Sequence, residues 1–403
     1  MTPTASDPFP EVILGNANRR FSGVTSTMLQ VLAHQQDQAA LVVLGAWHLP
    51  STVKRVQFLP LLRKLCSRQA QGRTVVFHAR RNNEMIQGLI LRYFARCTVR
   101  LLFTSTAQRH HTRFTRWLMT QMDSVISTCN AAAGYLKTPP DKLIPHGIDT
   151  ERYQPTREPV ALPADLVIPA RHYIGIFGRV RAQKGVDILV NAALPLLARH
   201  SDWALIIVGE IKPAEQPFVN GLKQQAERAG VLDRVVFTGP RPFEELPSLF
   251  ACMSIVTALS RNEGFGLTVL EAMSSARAVI ASRAGAWPDI LTPEENGLLV
   301  DIGDVSSTEA ALQRLITDGD LRSRLAANAR QTVLDRFSVE TEAQALLSHY
   351  RALAQAWAAP IRLADQSQLG LQQFYGDAPR LESLDYGPTL PVTHSSWDDP
   401  NAR

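Results

Sequence analysis

Two glutamates and two cations carry the chemistry that can be read from this chain. Glu263 and Glu271 lie in "SRNEGFGLTVLEAM" (260–273), with Gly264, Phe265, Gly266 and Leu267 between them. Upstream, "YIGIFGRVRAQKGVDILVNAALPLL" (173–197) sets Arg179 and Lys184 in a loop after Gly178, between an apolar run and a helical one. Paired carboxylates have two uses. They can act as acid and base around a scissile bond, or accept hydroxyl hydrogen bonds from a sugar or ribose diol. Glycines between a strand and a helix let backbone amides approach an anion, and the helix dipole favours it. The loop is neither G-x-G-x-x-G nor a P-loop, so it signals neither NAD nor ATP hydrolysis. From a strand ending at Leu259, a helix is expected to begin near Phe265 or Gly266. Glu271 then falls in its second turn, on the face of Leu267, with Glu263 in the loop before it. A second helix is expected from about Lys184. "DGD" at 318–320 reads as a turn between two helices rather than a metal motif.

The elements that must position these residues follow from apolar periodicity. In the first half the strand candidates are 11–15, 40–45, 73–77, 98–103, 124–128 and 142–146; in the second they are 173–178, 204–209, 234–239, 254–259, 278–282 and 297–300. Helical stretches separate most of them. Near-continuous apolar strands with helical crossovers mean parallel sheets covered on both faces. The expected fold is α/β, with two doubly wound Rossmann-like domains facing across a cleft, where the carboxyl ends of the strands meet a ligand. The stretch 155–170, with four prolines and no helical period, reads as the linker. The expected organisation is an N-terminal domain over 1–160, a C-terminal domain over 161–337, a helix over 338–357 packing back on the N-terminal domain, and an irregular tail over 358–403. Ser338 is the expected N-cap of that helix, with Glu340 in its first turn.

Composition bounds the remaining options. The chain's 403 residues allow two sizeable cores. Cys66, Cys97, Cys129 and Cys252 form no C-x-x-C pair, which argues against a zinc site or a disulfide scaffold. With no basic-then-apolar leader and no span-length apolar run, a cytoplasmic location is expected. Charge is uneven: residues 1–160 hold 20 Lys and Arg against 9 Asp and Glu, and from Lys54 to Arg116 there are 14 basic residues and one acid, Glu84. Such a stretch is either a solvated face or a surface for an anionic partner. It contains no zinc-finger spacing and no aromatic-rich nucleic-acid motif, so nucleic acid is not expected.

The spacing E-x7-E after a strand, downstream of G-R-x4-K-G before a helix, resembles the donor-binding domain of GT-B glycosyltransferases of family 4. "IPHGIDTERYQP" (144–155), "ALIIVGE" (204–210), "RVVFTGPRPFEELPSLFACMSIVTALS" (234–260) and "AVIASRAGAWPDIL" (278–291) agree in order, so the resemblance spans about 11–357. It implies that Arg179 and Lys184 hold the diphosphate of a nucleotide sugar, that Glu271 binds the ribose and that Glu263 binds the donor sugar. Gly264 to Leu267 would contact sugar and phosphate, and Val236 to Gly239 would border the base. It also implies retention of anomeric configuration with no metal and no cofactor. "NRRFSGVTSTM" (18–28) with Gly23, "VVFHARRNNEMIQGLILRYF" (75–94) and "LLFTSTAQRHHTRFTRWL" (101–118) look like the lipopolysaccharide core mannosyltransferases of Gram-negative bacteria. The implied reaction is mannosyl transfer from GDP-mannose to the Kdo region of a lipid-anchored core, with peripheral contact at the cytoplasmic face of the inner membrane. Gly23 would join the donor site, and Arg80, Arg81, Arg109 and Arg113 would face the anionic glycolipid. Where many relatives carry a histidine in an F-H-[TG] turn, this chain has Phe103 and Thr104. His78, and after it His110 and His111, are the candidates to take over near the reacting sugar. Two alternatives stay open: a family 4 transferase with another donor and acceptor, and a non-catalytic nucleotide-binding protein at a lipid surface.

Overall fold

A computed structural model of the chain describes residues 8–19, 23–156, 162–163, 165–166 and 168–356. The expected tail at 358–403 and the middle of the expected linker lie outside the described residues. The N-terminal half builds β1 (Val12–Gly15), α1 (Gly23–Gln35), β2 (Leu41–Leu44), β3 (Arg55–Val56), α2 (Phe58–Leu65), β4 (Thr74–Ala79), α3 (Asn82–Phe94), β5 (Thr98–Ser105), α4 (Arg113–Met119), β6 (Ser124–Ser127), α5 (Asn130–Ala133) and β7 (Lys142–Leu143). The second half continues with β8 (His172–Phe177), α6 (Val186–Arg199), β9 (Trp203–Val208), α7 (Gln216–Arg228), β10 (Val235–Gly239), α8 (Leu246–Cys252), β11 (Ile255–Ala258), α9 (Thr268–Ser274), β12 (Ala278–Ser282), α10 (Trp287–Ile290) and β13 (Leu298–Val300). The helices α11 (Val305–Thr317), α12 (Gly319–Arg336) and α13 (Val339–Gln355) close the described chain.

Each half carries one parallel sheet. The first is seven-stranded, in the order β3-β2-β1-β4-β5-β6-β7; the second is six-stranded, β10-β9-β8-β11-β12-β13. Strands such as β9, buried at all six positions, have apolar residues on both faces because helices cover both. In the first domain α1 and α13 lie on one face and α2, α3 and α4 on the other. In the second, α6, α7 and α11 face α8, α9 and α12 across the sheet. β3 is the one strand that the apolar pattern does not announce, since "RV" is too short to show a period.

The chain passes between domains twice, and the two passages touch. Ile148 bridges Ser338, with Ile148 N–H donating to Phe337 O and Val339 N–H donating to Ile148 O, 2.9 and 3.0 Å. A Cβ on Gly147 would stand 2.3 Å from the Ser338 carbonyl, so only glycine permits this crossing. Ser338 caps α13 by accepting from Thr341 N–H, and the helix then lays Val339, Ala343, Leu346, Leu347 and Tyr350 on the first sheet.

Candidate active site

The donor-side residues gather at the carboxyl ends of β8, β9 and β11. β8 ends in Phe177-Gly178, and the loop after it runs through Arg179 to a single 3-10 turn, Ala182–Lys184. Gly185 follows at φ 74°, where an added Cβ would lie 2.0 Å from the Leu259 carbonyl. The helix therefore starts at Val186 rather than at Lys184. That short detour aims Lys184 back across the loop, and its Nζ lies 2.5 Å from Glu263 Oε2. Ser260 Oγ donates to the same oxygen at 3.0 Å. Asp187, in the first turn of α6, would oppose an anion there, but Arg261 binds both its oxygens at 2.9 and 2.8 Å. Arg179 stands exposed, 3.5 Å from the Glu210 carboxylate.

Gly-Phe-Gly does not open the helix as expected. Gly266 takes φ 76° and its carbonyl accepts from Trp287 Nε1 at 3.0 Å, so the backbone turns before Leu267 and α9 begins at Thr268. Glu271 consequently sits in the first turn of α9, not the second. Its Oε1 accepts from the hydroxyl of Tyr153, 3.1 Å away, itself fully buried. Burial pushes the Glu271 carboxyl up to about 7, against the opposing pull of Tyr153 and Arg152. Glu271 lines a cavity of about 280 Å³ with Phe177, Gly178, Arg179, Arg241 and Thr268. A Cβ on Gly178 would lie 3.7 Å from Lys184 Cε, so the lysine stem runs past the same glycine that floors the cavity. Gly239, at φ 72°, ends β10 beside Pro240 and Arg241 on the cavity's far side. The arrangement offers two cations for a diphosphate and a carboxylate for a diol, at the end of a parallel sheet where such ligands bind.

Across the cleft, Gln108 in the β5–α4 loop donates to the Gly264 carbonyl at 3.0 Å. Asn130 N–H and Nδ2 reach the Asp289 carboxylate at 2.7 and 3.0 Å. The first domain thus touches the Gly-Phe-Gly turn directly.

The model of the glycosyl transferases group 1 family matches residues 164–332. The chain is 38% identical over 343 residues to the lipopolysaccharide core biosynthesis mannosyltransferase LpcC of Rhizobium leguminosarum bv. viciae, covering 85% of this chain and 96% of that protein. It is 35% identical over 350 residues to the lipopolysaccharide core biosynthesis mannosyltransferase LpsB of Rhizobium meliloti (strain 1021), with 85% and 97% covered. The chain belongs to the glycosyl transferases group 1 family. Among solved structures, HepE of Anabaena in complex with UDP superposes with a TM-score of 0.71 at 22% identity, over 85% of this chain and all of that one, a likeness of fold. The fold is GT-B.

In this glycosyltransferase the expected histidine needs correction. His78, on β4, is 1% exposed. Its Nδ1 pairs with the Tyr350 hydroxyl at 2.7 Å and its Nε2 with Thr104 Oγ1 at 2.6 Å. Both ring nitrogens are engaged beneath α13, and burial beside Arg80 holds its pKa well below the ordinary value. It does not reach a reacting sugar. His111 Nε2 lies 3.1 Å from Ser105 Oγ, and exposed His110 packs edge-on against Tyr135. Gly23 is exposed at the first position of α1. Arg80 and Arg81 follow β4, where buried Glu84 collects Arg80 N–H at 2.8 Å, Arg81 Nη1 at 3.0 Å and Ala17 N–H at 3.2 Å. Arg80 Nη1 is buried with no hydrogen-bond partner among the described residues. Arg109 and Arg113 are exposed on the loop leading to α4 and at its start. Asp318 caps α12 by accepting from Leu321 N–H, so "DGD" starts a helix.

Residue types alone could not mark three further contributors. Tyr153 lies in the linker side of "IPHGIDTERYQP" and meets Glu271 only through the fold. Trp287 pins Gly266 from the loop after β12. His146 joins Glu342 of α13 through Nδ1 at 2.8 Å and sets its ring edge against Phe265, centroids 5.0 Å apart. All three pairings are long-range, and the only sequence hint was their place in the family motifs.

Proposed function

We propose that this glycosyltransferase moves mannose from GDP-mannose, with retention, onto the Kdo region of a lipopolysaccharide core. The observation that carries the donor side is the cavity with Glu271 on its wall and Arg179 at its edge, flanked by Lys184. In this reading Glu271 accepts the ribose hydroxyls and Arg179 and Lys184 face the diphosphate. Glu263, which holds Lys184, shares its remaining oxygen with the hydroxyls of the donor sugar. The bond from the anomeric carbon to the diphosphate oxygen breaks as the acceptor hydroxyl bonds to that carbon on the same face. The leaving phosphate takes the acceptor proton, and the two cations stabilise the charge that develops on it. Side chains thereby do the work a divalent ion would otherwise do. His78 has no part in it.

The sugar and acceptor are argued from LpcC and LpsB, whose likeness extends through the acceptor-side domain. Arg109 and Arg113, exposed before and at the start of α4, are the cations placed to meet the acid groups of the acceptor, whereas Arg80 is turned inward toward Tyr350. The test is a donor panel of labelled GDP-, UDP- and ADP-sugars with a Kdo-bearing lipid A precursor. Label passing to lipid from GDP-mannose, with the product anomer matching the donor, is the expected result. Transfer only from a UDP- or ADP-sugar would overturn the donor assignment, and an inverted anomer would overturn retention.

A further inference from the structure

The helices on the outer face of the first domain are apolar on both sides. α3 buries Met85, Gly88 and Leu91 against its sheet, yet Ile86, Ile90, Tyr93 and Phe94 lie on its outward face. Those spacings of three and four make one continuous stripe. α4 repeats the pattern, burying Leu118 while leaving Phe114 and Trp117 outside, their rings stacked 6.0 Å apart. Tyr93 is 81% exposed, Phe94 57%, Trp117 55% and Phe114 52%. Seven of the thirteen large apolar side chains left exposed among the described residues are on α2, α3 and α4. Asn82 Nδ2 donates to Thr115 Oγ1 at 2.8 Å, so the two stripes are parts of one surface.

The charges around this surface are mainly positive, and Asp123, which follows α4, is paired with Arg92 and Arg100. Arg96, Arg109 and Arg113 are exposed beside it. The one acid between Lys54 and Arg116, Glu84, is fully buried and already holds two backbone amides and Arg81. A large exposed apolar patch marks an interaction surface. Aromatic side chains flanked by exposed arginines, with the neighbouring acid Asp123 already paired to Arg92 and Arg100, match the headgroup region of an anionic bilayer in both polarity and charge. The loop that contacts Gly264 through Gln108 runs directly into α4, so the patch adjoins the cleft.

We propose that α3 and α4 are the membrane-docking face of the enzyme, seating Tyr93, Phe94, Phe114 and Trp117 in the interfacial layer of an anionic bilayer with the arginines on its headgroups. This rests on the reading that the acceptor is lipid-anchored. The surface would place the cleft at the level where such a sugar leaves the membrane.

The full chain should bind vesicles of phosphatidylglycerol and phosphatidylethanolamine, more weakly as salt rises, and bind phosphatidylcholine vesicles little. Phe94→Ser with Trp117→Ser should weaken that binding at least tenfold, leaving the melting temperature and transfer to a detergent-dispersed acceptor unchanged. Arg96→Glu with Arg113→Glu should weaken vesicle binding as much. Brominated lipid should quench the wild type's tryptophan fluorescence more than that of Trp117→Phe. Wild-type vesicle binding by both double variants would overturn the proposal. So would a wild-type dimer that Trp117→Ser dissociates while vesicle binding is untouched. Vesicle binding of the expected pattern without sugar transfer leaves the docking face standing and removes the glycolipid acceptor. Transfer without vesicle binding does the reverse.

Discussion

Glu271 is where position and ionisation meet. A carboxylate accepts two hydroxyl bonds better than a carboxylic acid, so donor binding favours the ionised form. With its pKa pushed up to about 7, the free enzyme carries a mixture of both forms near neutrality. Donor binding should therefore release protons between about pH 6 and 8, seen as calorimetric heats that vary with buffer ionisation enthalpy. Glu271→Gln should remove that release and raise the donor KM by about tenfold or more, roughly 1.4 kcal/mol. The same shift bears on folding with the opposite preference. A carboxyl raised above its ordinary 4.5 favours the fold while protonated, and that contribution is lost as the pH rises through 7. Tyr153 acts through Glu271. Its hydroxyl donates to the ionised carboxylate, so Tyr153→Phe should move the donor-binding pH midpoint upward and raise KM several-fold with kcat little changed. In the proposed reaction Lys184 stabilises charge on the leaving group, so Lys184→Ala should lower kcat by about a hundredfold or more.

At the scale of elements, the strands and most helices were legible because parallel strands buried on both faces read as unbroken apolar runs. Where the expected helix starts went astray, two backbone turns were responsible. Gly185 and Gly266 both take positive φ, and each delays its helix, shifting Lys184 and Glu271 relative to the helix starts. Glycine in a sequence marks such a turn without saying how many residues it consumes. His78 shows the converse problem. It follows an apolar run, as a cleft histidine would, but α13 arrives from 272 positions away to cover it with Tyr350. No local pattern contains that. Truncating His78 to Ala should cost about 2 kcal/mol, because buried Tyr350 and Thr104 lose a partner. Thermal unfolding measures the loss, and donor KM should not change. A histidine held neutral stabilises the fold above its ordinary value of 6.5, and that contribution is lost as the pH falls below it. Wild-type stability should thus drop from pH 7 to 5 more steeply than that of His78→Gln.

For the whole molecule, the charge imbalance between halves was visible in the sequence, but its meaning was not. The 14 basic residues between Lys54 and Arg116 divide in the fold. Arg81 is turned onto Glu84, Arg92 and Arg100 onto Asp123, and Arg80 toward Tyr350. Others, such as Arg96, Arg109 and Arg113, stay outside beside aromatic side chains. Apolar residues at helical spacing are read as core by default, so the outward stripe of α3 was hidden behind its inward one. Among the described residues no helix is long and apolar enough to cross a membrane. The two domains meet through Gln108, Asn130 and the crossing at Gly147, which keeps Gly-Phe-Gly facing the first sheet. In the proposed function one nucleotide sugar is held by Glu271 and Lys184 at the end of the second sheet. Titration of GDP-mannose into the wild type, Glu271→Gln and Lys184→Ala, each confirmed folded by its melting curve, tests this most directly. Saturable binding by the wild type, weakened about tenfold or more in each variant, is the predicted result; equal affinity in all three proteins, or none in the wild type, would contradict it.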